Sequence, residues 1–249
     1  MLHNKKSKMK TRIILTTLVL IGIFLNACEN DSDIIASDNV TTQQYSFSDY
    51  DQINVESAFT VYVEFSDTEE AIEIEANDNL QQYIEVVKES GALIIRIQDD
   101  ISIKGSATLN AYITTKKVTG YSASGASRFI VSDPVISNEA TIFLSGASSF
   151  TGEIEVGNIM ADLSGASNLK ISGVTDSFDL NASGASVIGD FEFTTKYLDV
   201  SLSDASNASL SISENMDVVA SGASTLRYKG DGTISSQNVT GGSSIIKID

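Results

Sequence analysis

Apolar and polar residues alternate at every second position over much of the chain from Tyr45 onward. In one run Val61, Val63 and Phe65 are separated by single polar or aromatic residues, and residues 72–76 repeat the pattern. A period of two is typical of half-buried β-strands, whereas an amphipathic helix would show a period of 3.6. Only residues 77–83 (NDNLQQY) have the composition of a helical turn. The pattern therefore predicts an all-β domain.

A short motif recurs through the second half of the chain. Ser-Gly-Ala-Ser occurs at 124–127, 145–148, 164–167, 183–186 and 221–224, a variant Ser-Asp-Ala-Ser at 203–206, and Gly-Gly-Ser-Ser at 241–244. The spacing between successive motifs is 18 to 21 residues. A fixed period of this length is the signature of a repeat architecture in which each unit stacks on the next.

Alignment on the motif places apolar residues in fixed columns two, four and six positions before its central residue and four positions after it. The column two positions before contains Ala123, Leu144, Leu163, Ala182, Leu202 and Ala220. Stacking such units about 4.8 Å apart would bury these columns as one core. This predicts a single-domain parallel β-helix (a β-solenoid) with coils of about 19–20 residues, which we expect to be right-handed.

The central residue of each motif is expected to form a corner of the coil. A left-handed backbone conformation at the corner suits glycine, and aspartate tolerates it better than most residues. The predicted structural corners are Gly125, Gly146, Gly165, Gly184, Asp204, Gly222 and Gly241. The flanking serines are expected to form hydrogen-bonded ladders between coils. An antiparallel meander is the alternative architecture, but only Asp231-Gly232 resembles a hairpin turn.

The N-terminal residues have the pattern of an export signal. Five basic residues precede the apolar segment 13–25, which is too short to span a bilayer and fits a cleaved signal peptide starting at Met1 or Met9. The segment ends in Leu-Asn-Ala-Cys, similar to a bacterial lipobox, and Cys28 is the only cysteine. We therefore predict a lipoprotein signal peptide over residues 1–27 and lipid attachment at Cys28. We expect an acidic tether over residues 28–44 and the β-solenoid over 45–249.

Charge and composition exclude several classes of function. Removal of residues 1–27 would leave 11 Lys and Arg against 33 Asp and Glu, a formal charge of −22, and would remove the only histidine. Nucleic-acid binding requires many cations, so the partner is not expected to be a nucleic acid. A chain without histidine or a second cysteine cannot form a Ser-His-Asp triad, a Cys-His pair or an ordinary zinc site. The prediction is that the protein is not an enzyme and has no cofactor, with bound Ca²⁺ as the single alternative.

The Ser-Gly corners, together with residues 108–118 and 226–248, resemble the GIN domain family, named as an autotransporter adhesin head domain and common in Bacteroidetes lipoproteins. The resemblance covers nearly all of residues 45–249. It implies a parallel β-helix. Alanine in the third place of the motif and Asp204 at one corner depart from the Ser-Gly-Ser-Gly corners typical of the family.

Acidic and basic side chains in the outward columns are the candidate site residues. Asp179, Asp199 and Asp217 occupy one column in successive coils, with Asp162 in the adjoining column. Like charges about 5 Å apart repel, and Ca²⁺ bridging these oxygen ligands would relieve the repulsion; the alternative is that the side chains splay into solvent. An alternative enzyme, acting on polysaccharide, would use carboxylate pairs or a basic residue, for which the candidates are Glu73 with Glu75, Glu153 with Glu155, and Arg128, Lys170 or Arg227.

The expected function is that of a non-catalytic, adhesin-like binding or structural module of the cell envelope. The lipid on Cys28 would anchor it, and we expect an outer-membrane and cell-surface location with carbohydrate or another envelope protein as partner. A periplasm-facing structural component is the alternative. Tyr121 is assigned to the core, and residues 229–233 (KGDGT) to a tight turn, because they lack the spacing of a phosphate-binding loop.

Overall fold

The computed structural model describes residues 32–249. Strands make up 64% of the protein, which forms a β-solenoid of about seven turns in a single domain. A 3-10 turn at Gln81–Tyr83 lies within the predicted helical turn. The strands are β1 Ser32–Ile35, β2 Val40–Tyr45, β3 Gln52–Val55, β4 Thr60–Phe65, β5 Ala71–Asn77, β6 Ile84–Glu89, β7 Ala92–Ile97, β8 Ile101–Lys104, β9 Leu109–Thr115, β10 Gly120–Ala123, β11 Arg128–Val131, β12 Val135–Leu144, β13 Ser149–Leu163, β14 Asn168–Ala182, β15 Val187–Ile188, β16 Phe193–Leu202, β17 Asn207–Ala220, β18 Thr225–Lys229, β19 Thr233–Val239 and β20 Ser244–Lys247.

From β10 to β20 every strand pairs in parallel with the equivalent strand of the next coil. Leu144 pairs with Leu163, and Leu163 with Ala182, so that one column of the sequence alignment forms one row of the sheet. The parallel β-helix predicted from the repeat is thus confirmed. We call the face formed by the residues that lead into a corner the pre-corner face. The face formed by the residues that follow a corner is the post-corner face. Long strands such as β13 and β14 run from one corner to the next and so contribute to both faces.

The first turns of the solenoid precede the first Ser-Gly-Ala-Ser motif. β3 and β4 stack in parallel on β10 and β11, and they are joined by a corner at residues 56–59 that the motif search missed. β7 and β9 stack in parallel on the other side of β3 and β4. Here the fold departs from a uniform parallel helix, because β6 pairs antiparallel with β7, and β5 pairs antiparallel with both β2 and β9.

The prediction of a tether over residues 28–44 is wrong for the part that the structure describes. β1 pairs in parallel with β8, and β2 adds to the sheet beside β5. Side chains from the turn after β5 secure the link between β1 and β2: Asn77 donates to Ser37 O at 2.6 Å, and Asn79 donates to Ile35 O at 2.8 Å. The polar composition was misleading because these strands lie at an exposed edge, where their side chains need little apolar character.

The inward columns form one continuous core between the faces. Its members are buried from Tyr50 to Tyr228, and Tyr121 lies among them with its ring edge-on to Phe129 and Phe150. The Tyr121 hydroxyl donates to Val118 O at 3.1 Å, which satisfies its polar atom inside the core. Tyr121 is therefore a core residue, as predicted. Across residues 32–249, the model contains no helix with the length and apolar character that a membrane span requires.

Candidate binding surface

All seven predicted corner residues have a left-handed backbone. Their φ angles lie between 58° at Asp204 and 76° at Gly222. At most corners the coils approach too closely for a side chain: a Cβ on Gly184 would lie 2.3 Å from Gly165 O. Asp204 fits because its carboxylate accepts a hydrogen bond of 3.0 Å from Gly184 N in the coil below. The corners thus align the coils without covering the faces beside them.

The last serine of the first six motifs is buried, and in several of them its hydroxyl bonds within its own turn. The Oγ atoms of Ser148, Ser167 and Ser186 donate to the carbonyl three residues earlier at 2.7–2.8 Å. The serine ladders predicted between coils are therefore wrong for these three residues. The coils are joined instead by backbone bonds such as Ala166 N to Gly146 O at 2.7 Å. A serine hydroxyl is short enough to reach its own turn, which accounts for the difference. The ladders are confirmed in part further along, where Ser206 donates to Ala182 O at 3.1 Å and Ser224 lies 3.3 Å from Ser243 Oγ in the next coil.

The aspartates of the candidate cation row lie directly beside one another on the pre-corner face. Asp179 pairs with Asp199, and Asp199 with Asp217, in three successive strands. Partial burial, followed by the charges of Asp199 and Asp162, raises the pKa of Asp179. In the described residues no three His, Cys, Asp or Glu side chains converge in a geometry that could hold a metal ion. The row is therefore a line of separate carboxylates, and calcium binding remains untested.

A shallow depression of about 410 Å³ runs across the pre-corner face beside the corners. It crosses five coils, and one row of paired residues runs along its floor in the order Ser122, Phe143, Asp162, Asn181 and Ser201. The exposed ring of Phe143 therefore lies within the row, between a hydroxyl and a carboxylate. Such a row of donors and acceptors next to an aromatic ring can make repeated hydrogen bonds to an extended polymer.

The basic candidates lie on the adjacent face. Arg128, Lys170 and Arg227 all point outward from the post-corner face, in strands β11, β14 and β18. At a strand spacing of about 4.8 Å, they are separated by roughly 10 Å or more along the axis. Only Lys170 lies near an acid, with its Nζ 3.8 Å from Asp190. In the outward columns of these two faces the aspartates and the basic residues are therefore segregated.

The carboxylate pairs considered for catalysis do not form a cleft. Glu75 accepts hydrogen bonds from Asn110 and Tyr112, and Glu73 accepts one from Gln44. Glu153 and Glu155 are exposed on one strand. Glycoside hydrolysis requires two carboxyl groups facing each other across the scissile bond. Both pairs lie side by side on an open sheet instead.

A tyrosine pair on the post-corner face was missed by the sequence analysis. The rings of Tyr62 and Tyr112 stack at 5.1 Å between centroids with 9° between their planes. Burial and then the neighbouring Glu75 carboxylate raise the pKa of Tyr112. No sequence pattern indicated this pair, because Tyr62 and Tyr112 belong to strands of the first turns, whose pairing departs from the regular repeat.

Cys28, the predicted site of lipid attachment, lies outside the described residues. The described residues begin with β1, which starts at Ser32 and pairs with β8 near the first coils. The described chain therefore starts at the N-terminal end of the solenoid.

Comparison with known proteins places this geometry in a family. Residues 49–232 match the family model described as putative auto-transporter adhesin, head GIN domain. No curated protein sequence matches the chain.

Solved structures from Bacteroides and Parabacteroides species have the same fold. A putative adhesin from Bacteroides fragilis is 19% identical with a TM-score of 0.81, covering 86% of this chain and 100% of its own. A putative adhesin from Parabacteroides merdae is 17% identical with a TM-score of 0.72, covering 87% and 99%. A putative lipid binding protein from Parabacteroides distasonis is 20% identical with a TM-score of 0.67, covering 88% and 100%. At these identities the likeness shows the fold, while the match over residues 49–232 shows that the chain belongs to the family described as putative auto-transporter adhesin, head GIN domain.

Proposed function

We propose that the protein is a lipid-anchored, non-catalytic binding module of the cell envelope whose pre-corner face contacts an extended polar ligand. The observation that carries the proposal is the depression across five coils, whose central row presents hydroxyl, carboxylate and amide groups on either side of an exposed aromatic ring. The spacing of about 4.8 Å between coils repeats these groups at intervals suited to a polymer. Carbohydrate is the ligand class whose hydroxyls match them best, and another envelope protein is the alternative.

The anchor is the second part of the proposal. Export and acylation at Cys28 would place the solenoid at a membrane, with outer-membrane, surface-exposed placement supported by the adhesin-type family. A formal charge of −22 would oppose direct adsorption to anionic lipid, so the acyl chains must supply the attachment. Labelling of producing cells with an alkyne fatty acid should mark the wild type and not Cys28→Ser. Equal labelling of both would contradict the anchor.

A binding screen tests the ligand. Purified protein is applied to an array of envelope polysaccharides, next to Asp199→Lys on the pre-corner face and Lys170→Asp on the post-corner face. We expect binding that falls at least about tenfold in Asp199→Lys and is retained in Lys170→Asp. Loss in Lys170→Asp alone would move the site to the post-corner face. Turnover of any polysaccharide would contradict the non-catalytic assignment, and protection of the domain from protease on intact cells would favour the periplasm-facing alternative.

A further inference from the structure

We propose that the C-terminal end of the solenoid docks onto the same end of a second copy of this chain. The last coil consists of β19 and β20, each paired on one side only, with β17 and β18 respectively. Every residue of β19 is exposed. The backbone groups along the outer edges of these two strands have no strand partner within residues 32–249.

The side chains at this end indicate that something covers it. Ile234 and Val239 continue inward columns of the core, where their neighbours one coil earlier, Met216 and Ala220, are each 1% exposed. At the end of the stack Ile234 is 37% and Val239 39% exposed. One more layer of strands would bury both residues and pair the free edges.

The low charge at this end points to a second copy as the partner, since β19 has no charged side chain and Lys247 is the only one in β20. Residues 232–246 contain no charged side chain, although each earlier coil from residue 120 onward contains at least one Asp or Glu. Proteins usually protect an exposed sheet edge with lysine, proline or a bulge. At the opposite end, β6 has this protection, with Glu85, Lys88 and Glu89. Two strongly acidic molecules can therefore meet at their C-terminal ends with the least repulsion.

A two-fold axis through the middle of β19 would pair the free edge of β19 with the same edge of the second copy. A coil of about 19 residues at about 3.3 Å per residue has a perimeter near 60 Å. With side chains, the end would bury on the order of 600 Å² per copy, at the lower limit of specific interfaces. We therefore expect a weak, reversible dimer.

Anchored copies whose solenoid axes stand perpendicular to the membrane could form this dimer only between two membranes. The ten strands of the pre-corner face, from β6 to β19, span roughly 40 Å at about 4.8 Å per strand. The N-terminal ends of a dimer would thus lie on the order of 80 Å apart. Only residues 29–31 separate Cys28 from β1, a reach of about 14 Å at most. This step rests on the proposed lipid anchor, whereas the dimer itself does not.

Sedimentation velocity tests the dimer. The chain from Cys28 onward keeps every core residue, since the core extends from Tyr50 to Tyr228, and Cys28→Ser prevents disulfide formation. Between about 1 and 500 µM we expect a shift from monomer to dimer. Val239→Lys should raise the dissociation constant at least about tenfold. The matched control is Val219→Lys, because Val219 is equally exposed but faces outward one strand earlier.

Gln237→Lys, at a position that is already polar and exposed, serves as a second edge variant if Val239→Lys loses stability. A monomer at all concentrations, species larger than a dimer, or equal weakening by Val219→Lys would each overturn the proposal. For the membrane geometry, protein with native Cys28 is coupled through that thiol to vesicles carrying maleimide lipid. Aggregation of wild-type vesicles but not of Val239→Lys vesicles is expected. A dimer in solution without vesicle aggregation would overturn the contact between membranes. It would not bear on the dimer, the polysaccharide site or the acylation of Cys28, each of which has a separate test.

Discussion

Two glycines with the same backbone conformation differ in how closely the coil below approaches them. Gly146 and Gly184 both have a φ of 72°. A Cβ on Gly146 would meet nothing closer than Gly125 N at 3.4 Å, whereas on Gly184 it would lie 2.3 Å from Gly165 O. The corner motif therefore has two physical requirements, a left-handed backbone everywhere and close approach of the coils at Gly165, Gly184, Gly222 and Gly241.

Replacement of these glycines by alanine separates the two requirements. Gly146→Ala should cost about 1–2 kcal/mol of the free energy of unfolding, the cost of a left-handed conformation for a residue with a Cβ. Gly184→Ala should cost a further 1–3 kcal/mol or so, because the backbone of the coil below must shift. Urea denaturation of both variants measures the difference, and equal losses would contradict the close approach.

The buried serines provide a second matched pair. Ser186 Oγ donates to Ser183 O at 2.8 Å, whereas Ser127 Oγ is equally buried and has no hydrogen-bond partner. Ser186→Ala should lose about 1–3 kcal/mol of stability because it leaves a buried carbonyl without its donor. Ser127→Ala removes an unsatisfied hydroxyl and should be neutral or stabilising. Thermal and urea unfolding measure the stability of both variants. A larger loss of stability in Ser127→Ala than in Ser186→Ala would contradict the hydrogen-bond pattern.

At the scale of strands and turns, corners could be predicted from the sequence where the motif marks them with glycine or Asp204. The corners from Gly125 onward were visible because the backbone there selects glycine or Asp204. The earlier corner at Ser57-Ala58 has the same left-handed backbone, with φ of 64° and 65°, but no glycine to mark it. Its inward neighbours Ile53, Val55 and Val61 fit the same columns, so a search on columns alone could have found it. The Ser90-Gly91 hairpin between β6 and β7 was not predicted, because the repeat indicates parallel pairing and β6 and β7 pair antiparallel.

The aspartate row of β14, β16 and β17 predicts an inverted pH dependence. The pKa of Asp179 is raised in the folded state, mainly by burial and then by Asp199 and Asp162. A folded-state pKa above the unfolded one means that stability falls as the pH rises from about 3.8 through the folded pKa. Asp179→Asn should therefore be more stable than the wild type at pH 7, and the difference should disappear below about pH 3.5.

Two controls accompany that measurement. Asp176→Asn, which removes the partner of Lys196, should not stabilise the protein at pH 7. A stabilising effect of both substitutions would indicate a general effect of lowering the net charge. Because no three carboxylates of the described residues converge, we expect calorimetry with Ca²⁺ to show no saturable heat. Saturable heat that disappears in Asp199→Asn would instead support the bridging hypothesis.

At the scale of the whole molecule, the sequence repeat predicted the architecture more completely than it predicted the surfaces. Inward columns had to be apolar in every coil, so the core could be read from periodicity. Outward columns have no such constraint, and the segregation of Asp179, Asp199 and Asp217 from Arg128 and Lys170 became apparent only when the faces were assembled. The strands at residues 32–45 could not be foreseen, since edge strands without a buried face resemble polar linkers in composition.

The account depends most on successive corners lying directly over one another. Pairs of spin labels on the exposed third residue of the corners test this, in a Cys28→Ser background: Ala166 with Ala223, Ala147 with Ala223, and Ala126 with Ala223. Double electron–electron resonance should give distances between the two labels near 14, 19 and 24 Å, in the order of the pairs above. The distance thus increases by about 4.8 Å for each additional coil. Distances that do not increase with the number of coils would contradict the stacked solenoid and every surface described on it.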